Sequence, residues 1–340
     1  MQQLKKTARA LVYRGLPSDI RDTVVVSGSP RSGTTWLAEL LLTLPEYRLL
    51  DEPLHLGSGR AREAGVDEWR TYVPPDAEQP ALEDFLRRAL SAQIPGRYVV
   101  EPEQGFLLRL QAQLLRKPLV VKFVRASRML HWLRRQFAVR GLIHILRHPC
   151  AVVASQLTYE TSEWRDTQPP DADKLQGSFG GWIPKDLLDR FRSTLAGIRT
   201  TAGHLAAVWC LDNYVPLYYE ADDFPGLVIS YEALVDHEKD EIERICNYLD
   251  APVPTQVAQR VEEPSHSASE DLATQDKEQQ LSKWKRKLST DQIDEVLGVV
   301  EEFSLDFYTE ALEPDRKRLG ALTESHLSSS VASPAHEKRS

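Results

Sequence analysis

The feature that most constrains the fold is a short buried strand that runs into a glycine-bounded loop and then into a helix. Residues 23–27 form a β-branched run suited to a sheet that is buried on both faces. The loop over 28–33 begins and ends with glycine, and a helical pattern runs from Thr34 to Leu44, next to Pro45. In this context, backbone N–H groups and a helix N-terminus bind an anion. The pattern therefore predicts an anion-binding loop at one edge of a sheet.

Three further buried strands are predicted, at 119–123, 142–146 and 227–230. Helical patterns follow the first two, over about 129–137 and 149–159. Alternation of strand and helix is typical of parallel βαβ units with right-handed crossovers. We therefore expect an α/β protein with a P-loop-type three-layer fold, in which helices flank a central parallel sheet.

Charge and composition exclude several classes of function. The net charge of -8 argues against a general nucleic-acid binder, because neutralising phosphates needs a basic face. The three cysteines are far apart and odd in number, which predicts free thiols and neither a metal site nor a disulfide framework. No apolar run approaches the roughly 18 residues of a membrane span. Together these features lead us to expect a cytoplasmic protein that needs no metal.

The two ends of the chain differ from its middle. Residues 1–21 are basic and are expected to form a helical segment. This helix could pack on the domain. Alternatively, it could lie on a membrane surface, or the segment could be a transit peptide. The middle, residues 22–313, is expected to be one domain that ends with an amphipathic segment over 290–312. The Ser-, Lys- and Arg-rich residues 314–340 are expected to be disordered.

The loop nearly fits the G-x-x-x-x-G-K-[ST] pattern of nucleotide kinases, but Thr34 stands where those enzymes have lysine. Without that lysine, the outer phosphates of a triphosphate lack their usual partner. A ligand with one 5′-phosphate and a sulfuryl group carries less charge, and Arg31 can still supply a cation. The loop alone leaves sulfuryl and phosphoryl transfer open.

A second anion site is predicted where the third strand ends. Arg147 ends that strand, and Ser155 follows about two turns into the next helix. Strand carboxyl ends in open α/β sheets converge on the ligand crevice, which places Arg147 beside the first loop. One cation and one hydroxyl donor suit a second phosphate.

Two motifs together resemble the sulfotransferases that use 3′-phosphoadenosine 5′-phosphosulfate (PAPS). Residues 30–37 resemble their 5′-phosphosulfate loop, and residues 147–155 resemble their 3′-phosphate motif. The late segment 231–234 after a strand also matches, and the similarity extends over about residues 22–310. Arg31 replaces a commoner lysine, and residues 148–150 replace a commoner basic-acidic pattern. The arrangement is closer to carbohydrate- and tyrosine-directed members than to phenol-directed ones.

The resemblance implies a role for each matching residue. PAPS would be the co-substrate, with its 5′-phosphosulfate on Arg31, Ser32, Gly33, Thr34 and Thr35. Arg147 and Ser155 would hold the 3′-phosphate, Trp36 would stack on the adenine, and Tyr231 would border the same pocket. A core packing role is the alternative for Tyr231.

Sulfuryl transfer to a hydroxyl or an amine needs a base. Phenol-directed members have a histidine two residues after a strand lysine; here the lysine is Lys122 and that position is Val124. The best candidate is Glu52, with Asp51 or His55 as substitutes, because carbohydrate- and tyrosine-directed members have a glutamate after the loop helix. Lys122 and Arg31 are expected to stabilise the bridging oxygen during an in-line displacement.

The acceptor is expected to be a small molecule or a glycan, for example a carbohydrate, a lipid or a natural product. Loops around 53–75, 160–185 and 264–283 are expected to shape its pocket, the last as a mobile loop or lid. Their tryptophans could stack on an acceptor or pack in the core; they are Trp69, Trp164 and Trp182. A small-molecule kinase and a non-catalytic nucleotide-binding module are the competing functions. Oligomeric state is not readable from the sequence.

Overall fold

The computed structural model describes eight stretches of the chain: residues 17–42, 47–58, 60–94, 97–99, 118–159, 175–219, 224–253 and 277–320. The strands are β1 Val24–Ser27, β2 Arg48–Asp51, β3 Arg97–Val99, β4 Leu119–Phe123, β5 Gly141–Leu146 and β6 Leu227–Ser230. The α-helices are α1 Thr34–Leu42, α2 Arg60–Glu63, α3 Pro80–Leu90, α4 Leu130–Gln136, α5 Pro149–Thr158, α6 Lys185–Arg190, α7 Arg192–Gly197, α8 Thr201–Tyr214, α9 Tyr231–Asp236, α10 Glu238–Tyr248, α11 Lys277–Lys287 and α12 Thr290–Glu302. Short 3₁₀ helices lie at Ile20–Asp22, Leu56–Ser58 and Ser127–Met129, and a π-helix lies at Val215–Tyr219.

The six strands form one sheet in the order β3-β2-β4-β1-β5-β6. Five strands are parallel, and the edge strand β3 pairs antiparallel with β2. The predicted central parallel sheet flanked by helices is confirmed, and the four predicted strands lie within one residue of their expected bounds. β2 and β3 were not predicted from the sequence.

Helices cover both faces of the sheet. Alternate residues of each central strand therefore enter two different hydrophobic clusters. Val25 and Val121 belong to the larger hydrophobic cluster, whereas Val24, Val26 and Val120 belong to the other. All of these side chains are fully buried. The β-branched composition of the central strands is thus explained by burial on both faces.

Two expectations about irregular segments are wrong in part. Residues 277–283, predicted to belong to a mobile loop, form the first turns of α11, whose Leu281 and Trp284 are buried. Residues 316–320, predicted to be disordered, are helical, with Leu319 buried against the larger cluster. The remainder of both segments, and residues 1–16 of the basic N-terminus, lie outside the described residues.

The cysteines are free, as predicted, and all three are buried: Cys150, Cys210 and Cys246. Among the residues that the structure describes, no helix is long and apolar enough to cross a membrane. Within the same part of the chain, no group of three or more metal-binding side chains comes together.

Candidate active site

The glycine-bounded loop joins β1 to α1 in a conformation that few sequences allow. Arg31 and Gly33 have positive φ angles of 74° and 93°. A Cβ atom at Gly33 would lie 2.5 Å from Cδ2 of Tyr231, so both the backbone conformation and the close approach require glycine. The Ser32 hydroxyl is buried without a hydrogen-bond partner among the described residues. A buried, unpaired donor beside the N-terminus of α1 fits an anionic ligand.

Arg147, at the end of β5, lies against this loop as predicted. Its Nη1 donates to the Arg31 carbonyl oxygen at 2.9 Å, and its guanidinium lies 4.2 Å from the ring centre of Tyr231. The Arg147 Nε is buried and has no partner within the described segments. The side chain is therefore held by its neighbours while one of its donors stays available to a ligand.

Ser155, on α5, joins the same group. The Arg31 Nε donates to the Ser155 hydroxyl at 3.0 Å, and the guanidinium lies 4.6 Å from the ring centre of Tyr159. Burial lowers the pKa of Arg31, and the charge of Arg147 lowers it further. In the described part of the chain, neither arginine forms an ion pair with a carboxylate. Two neighbouring guanidinium groups that lack a salt bridge fit a ligand with a second anionic group.

The predicted nucleotide-site aromatics lie together. The rings of Trp36 and Tyr231 meet edge to face, with centroids 5.4 Å apart. Gln280 on α11 donates to the Tyr231 hydroxyl at 2.6 Å. The contact of Gln280 with Tyr231 was not predicted, because residues 264–283 were expected to form a loop.

A buried network fixes the backbone that carries Arg147 and Tyr231. The Glu232 carboxylate accepts from the His148 backbone N–H at 2.9 Å and from the Tyr308 hydroxyl at 2.8 Å. The His148 ring stacks on Trp284 of α11, at 4.4 Å between centroids, and burial lowers its pKa to about 4. A neutral His148 therefore ties the ends of β5 and β6 to α11. These roles could not be read from local sequence.

Lys122 occupies the junction between the loop and β2. Its Nζ lies 2.7 Å from Asp51 Oδ1, 3.8 Å from Glu52 Oε1 and 3.1 Å from the Thr35 hydroxyl. Asp51 and Lys122 are register partners on the parallel strands β2 and β4, which explains why their side chains meet. The structure thus brings the predicted catalytic lysine and glutamate into one cluster with the loop helix.

Glu52 follows β2 in a left-handed backbone conformation, with φ of 47°. Its Oε2 accepts from the Val124 backbone N–H at 3.3 Å and lies 3.8 Å from Arg125 Nη1. Burial raises the pKa of Glu52 to about 7, the neighbouring Asp51 raises it too, and Lys122 and Arg125 oppose the rise. This carboxylate can therefore exchange a proton near neutral pH.

Arg125 was not among the predicted site residues. Its side chain is only 10% exposed, and its guanidinium lies 4.1 Å from the ring centre of Trp69, which meets His55 edge to face at 5.3 Å. Position 125 follows Lys122 by three residues, which was the only signal in the sequence.

Arg31 and Lys122 make contacts with different sets of residues. The guanidinium of Arg31 contacts Ser155 and Tyr159, whereas the ammonium of Lys122 contacts Asp51, Glu52 and Thr35. A joint action of the two cations on the bridging oxygen stays a prediction. Trp164 lies outside the described residues.

Comparison with known proteins gives a family for the chain. A family model described as "Sulfotransferase family" matches residues 23–255. None of the curated proteins compared with this chain matches it.

Three solved structures resemble the chain at low identity. The sulfotransferase domain from the curacin biosynthetic pathway is 18% identical, with a TM-score of 0.42, and the match covers 86% of this chain and 99% of that one. Mouse sulfotransferase SULT7A1 complexed with PAP is 12% identical, with a TM-score of 0.39 and coverage of 92% and 91%. The sulfotransferase domain from the Synechococcus PCC 7002 olefin synthase is 18% identical, with a TM-score of 0.40 and coverage of 83% and 94%.

Proposed function

The chain belongs to the sulfotransferase family, and from this premise we propose that it transfers the sulfuryl group of PAPS to a hydroxyl of a small-molecule or glycan acceptor. The donor supplies an activated sulfuryl group on a 5′-phosphate and a second phosphate on the ribose. Two anionic groups of this kind match the two groups of donors around the glycine-bounded loop.

The loop residues would hold the 5′-phosphosulfate. Ser32 offers a buried hydroxyl without a partner among the described residues, and the first turn of α1 begins at Thr34. The first N–H groups of a helix have no partner within that helix and attract negative charge. A single sulfuryl-bearing phosphate needs no lysine at position 34.

Arg147 and Ser155 would hold the 3′-phosphate. The unpaired Nε of Arg147 and the nearby Arg31 guanidinium provide positive charge, and neither guanidinium forms a salt bridge with a described carboxylate. Trp36 and Tyr231 would then flank the adenine. The Glu232 network would keep Arg147 in place when the nucleotide binds.

Glu52 would act as the base. The acceptor hydroxyl loses its proton to Glu52 while its oxygen forms a bond to sulfur. The bond between sulfur and the bridging phosphate oxygen breaks, and adenosine 3′,5′-bisphosphate leaves with the electron pair. Lys122 would neutralise the charge that develops on this leaving group.

The observation that carries the proposal is the position of Lys122 between Glu52 and Thr35. One ammonium group touches both the candidate base and the first turn of the anion-binding helix. A base and a leaving-group cation must lie close to the same sulfuryl group, and this junction provides both.

Calorimetric titration tests the donor site. Adenosine 3′,5′-bisphosphate should bind without metal, and Mg-ATP should bind much more weakly. Transfer of radioactive sulfuryl groups from labelled PAPS to a panel of hydroxyl acceptors tests the reaction. Preference for Mg-ATP, or labelled transfer that persists in Glu52→Ala and Lys122→Ala, would contradict the proposal.

A further inference from the structure

Aromatic side chains lie in the segment 69–72, which is connected to Glu52 through Arg125. Arg125 contacts Glu52, and Trp69 stacks on Arg125. Three residues further along the chain, Tyr72 stacks on Trp182, with centroids 5.7 Å apart and planes 29° apart. The segment from Trp69 to Tyr72 therefore leads from the candidate base to a second pair of aromatic rings.

Trp182 is 45% exposed, which is unusual for so large an apolar side chain. Its backbone N–H donates to Glu68 Oε2 at 2.8 Å. The Gly180 carbonyl accepts from the Arg70 N–H at 2.9 Å, and a Cβ atom at Gly181 would lie 2.1 Å from the Arg70 carbonyl oxygen. The loop that carries Trp182 is thus pressed against residues 68–70.

A buried group of three charged side chains lies beside the contact between the Trp182 loop and residues 68–70. Arg70 Nε lies 2.8 Å and Arg128 Nε lies 3.1 Å from the two oxygens of Asp212, and all three side chains are at most 10% exposed. Arg128 also donates to the Phe179 carbonyl at 2.9 Å. Asp212 thereby connects Arg70 to Arg128 and, through the Phe179 carbonyl, to the chain that leads to Gly180. The network therefore holds the backbone on both sides of the contact between the Trp182 loop and residues 68–70.

We propose that the Tyr72–Trp182 pair is a binding subsite for the acceptor, and that the acceptor is a cyclic hydroxyl compound with an apolar ring face. This inference rests on the proposed sulfuryl transfer. An exposed flat indole that is held rigidly binds a ring without a large loss of side-chain entropy. Tyr72 follows Trp69 by three residues, and Trp69 lies on Arg125, the neighbour of Glu52, so we infer that a ring bound at this pair lies on the side of the base. Aryl alcohols and pyranosides share the required face.

The test uses binding of probes to the complex of the full chain with adenosine 3′,5′-bisphosphate. The ring probes are naphthol and a methyl glucopyranoside, and n-hexanol is the linear probe. In Trp182→Ala, the Kd of at least one ring probe should rise about tenfold, because an aromatic stacking contact contributes on this scale. Trp182→Phe should retain most of the affinity, and hexanol should be unaffected. The ring probe that responds identifies the acceptor as aryl or saccharide.

Tyr218→Ala is the matched control, since Tyr218 is 40% exposed and stacks on Tyr214. Ring affinity should not change in this variant. The inference is overturned if neither ring probe binds the wild-type complex, if Trp182→Ala binds them normally, or if hexanol loses affinity equally. If the wild type does not bind adenosine 3′,5′-bisphosphate, the proposed donor site is wrong. Failure of the proposed function is thus distinguishable from failure of the aromatic subsite.

Discussion

The ammonium of Lys122 lies 2.7 Å from Asp51 and 3.8 Å from Glu52, so two adjacent carboxylates share one cation. Asp51 is the nearer partner of Lys122, and burial raises the pKa of the farther carboxylate, Glu52, to about 7, with the charge of Asp51 adding to the rise. This division of roles makes Asp51 a positioning residue for Lys122 and a determinant of the protonation of Glu52. Because Asp51 raises the pKa of Glu52 and Arg125 lowers it, substitutions of these two residues should shift the pH dependence of activity in opposite directions.

Asp51→Asn and Arg125→Gln should move the pH dependence of kcat/KM in opposite directions. The wild-type activity should rise with a midpoint near pH 7, because Glu52 must lose its proton to act as a base. Asp51 raises the pKa of Glu52, so Asp51→Asn should shift the midpoint to lower pH. Arg125 lowers this pKa, so Arg125→Gln should shift the midpoint to higher pH. Shifts in the same direction, or none, would show that Glu52 is not the titrating group.

Glu52→Gln should reduce kcat by about 100-fold or more at pH 8, since a general base contributes on this scale. The same variant should be more stable than the wild type at this pH. The folded-state pKa of about 7 exceeds the ordinary 4.5, so folding favours the protonated carboxyl and stability falls as the pH rises from 4.5 to 7. Glutamine mimics the protonated form, and its advantage should approach about 3 kcal/mol at pH 8.

The measurement is the free energy of unfolding by urea at pH 5 and at pH 8. At pH 5 the folded wild type is mostly protonated at Glu52, so the difference in stability should fall below about 1 kcal/mol. Equal stability at both pH values would contradict the elevated pKa even if activity is lost.

Much of the fold followed from periodicity, but β2 did not. Arg48–Asp51 is short and charged at both ends, and the buried Arg48 is satisfied by Ser18, which lies 30 residues earlier. Local propensity cannot anticipate such a partner. The Asp51–Lys122 pair, which follows from parallel register, was missed for the same reason. Arg147 and Ser155 were placed correctly because their motif is local to one strand and one helix.

Arg147→Ala should weaken binding of adenosine 3′,5′-bisphosphate by about 10- to 100-fold, the range expected for lost hydrogen bonds to a charged group. Binding of adenosine 5′-monophosphate, which lacks the 3′-phosphate, should change far less. Calorimetry with both ligands on both proteins gives a cycle that isolates the contact. Equal losses for the two nucleotides would mean that Arg147 acts only by supporting the Arg31 carbonyl.

Gly33→Ala should abolish tight nucleotide binding, and Gly65→Ala is its matched control. Both glycines have positive φ angles, 93° and 77°, so alanine strains the backbone at each position. Among the described residues, no atom beyond the chain neighbours lies within 4 Å of a Cβ added at Gly65, whereas at Gly33 the Cβ would lie 2.5 Å from Tyr231. Because Tyr231 packs on both Trp36 and Arg147, its displacement should disturb both halves of the nucleotide site.

Thermal unfolding and bisphosphate titration of both glycine variants separate strain from displacement. Each variant should lose some thermal stability, but only Gly33→Ala should lose more than tenfold in affinity. If Gly65→Ala loses as much affinity, general destabilisation is the cause. If Gly33→Ala binds normally, the close approach of the loop to Tyr231 is not needed for the nucleotide.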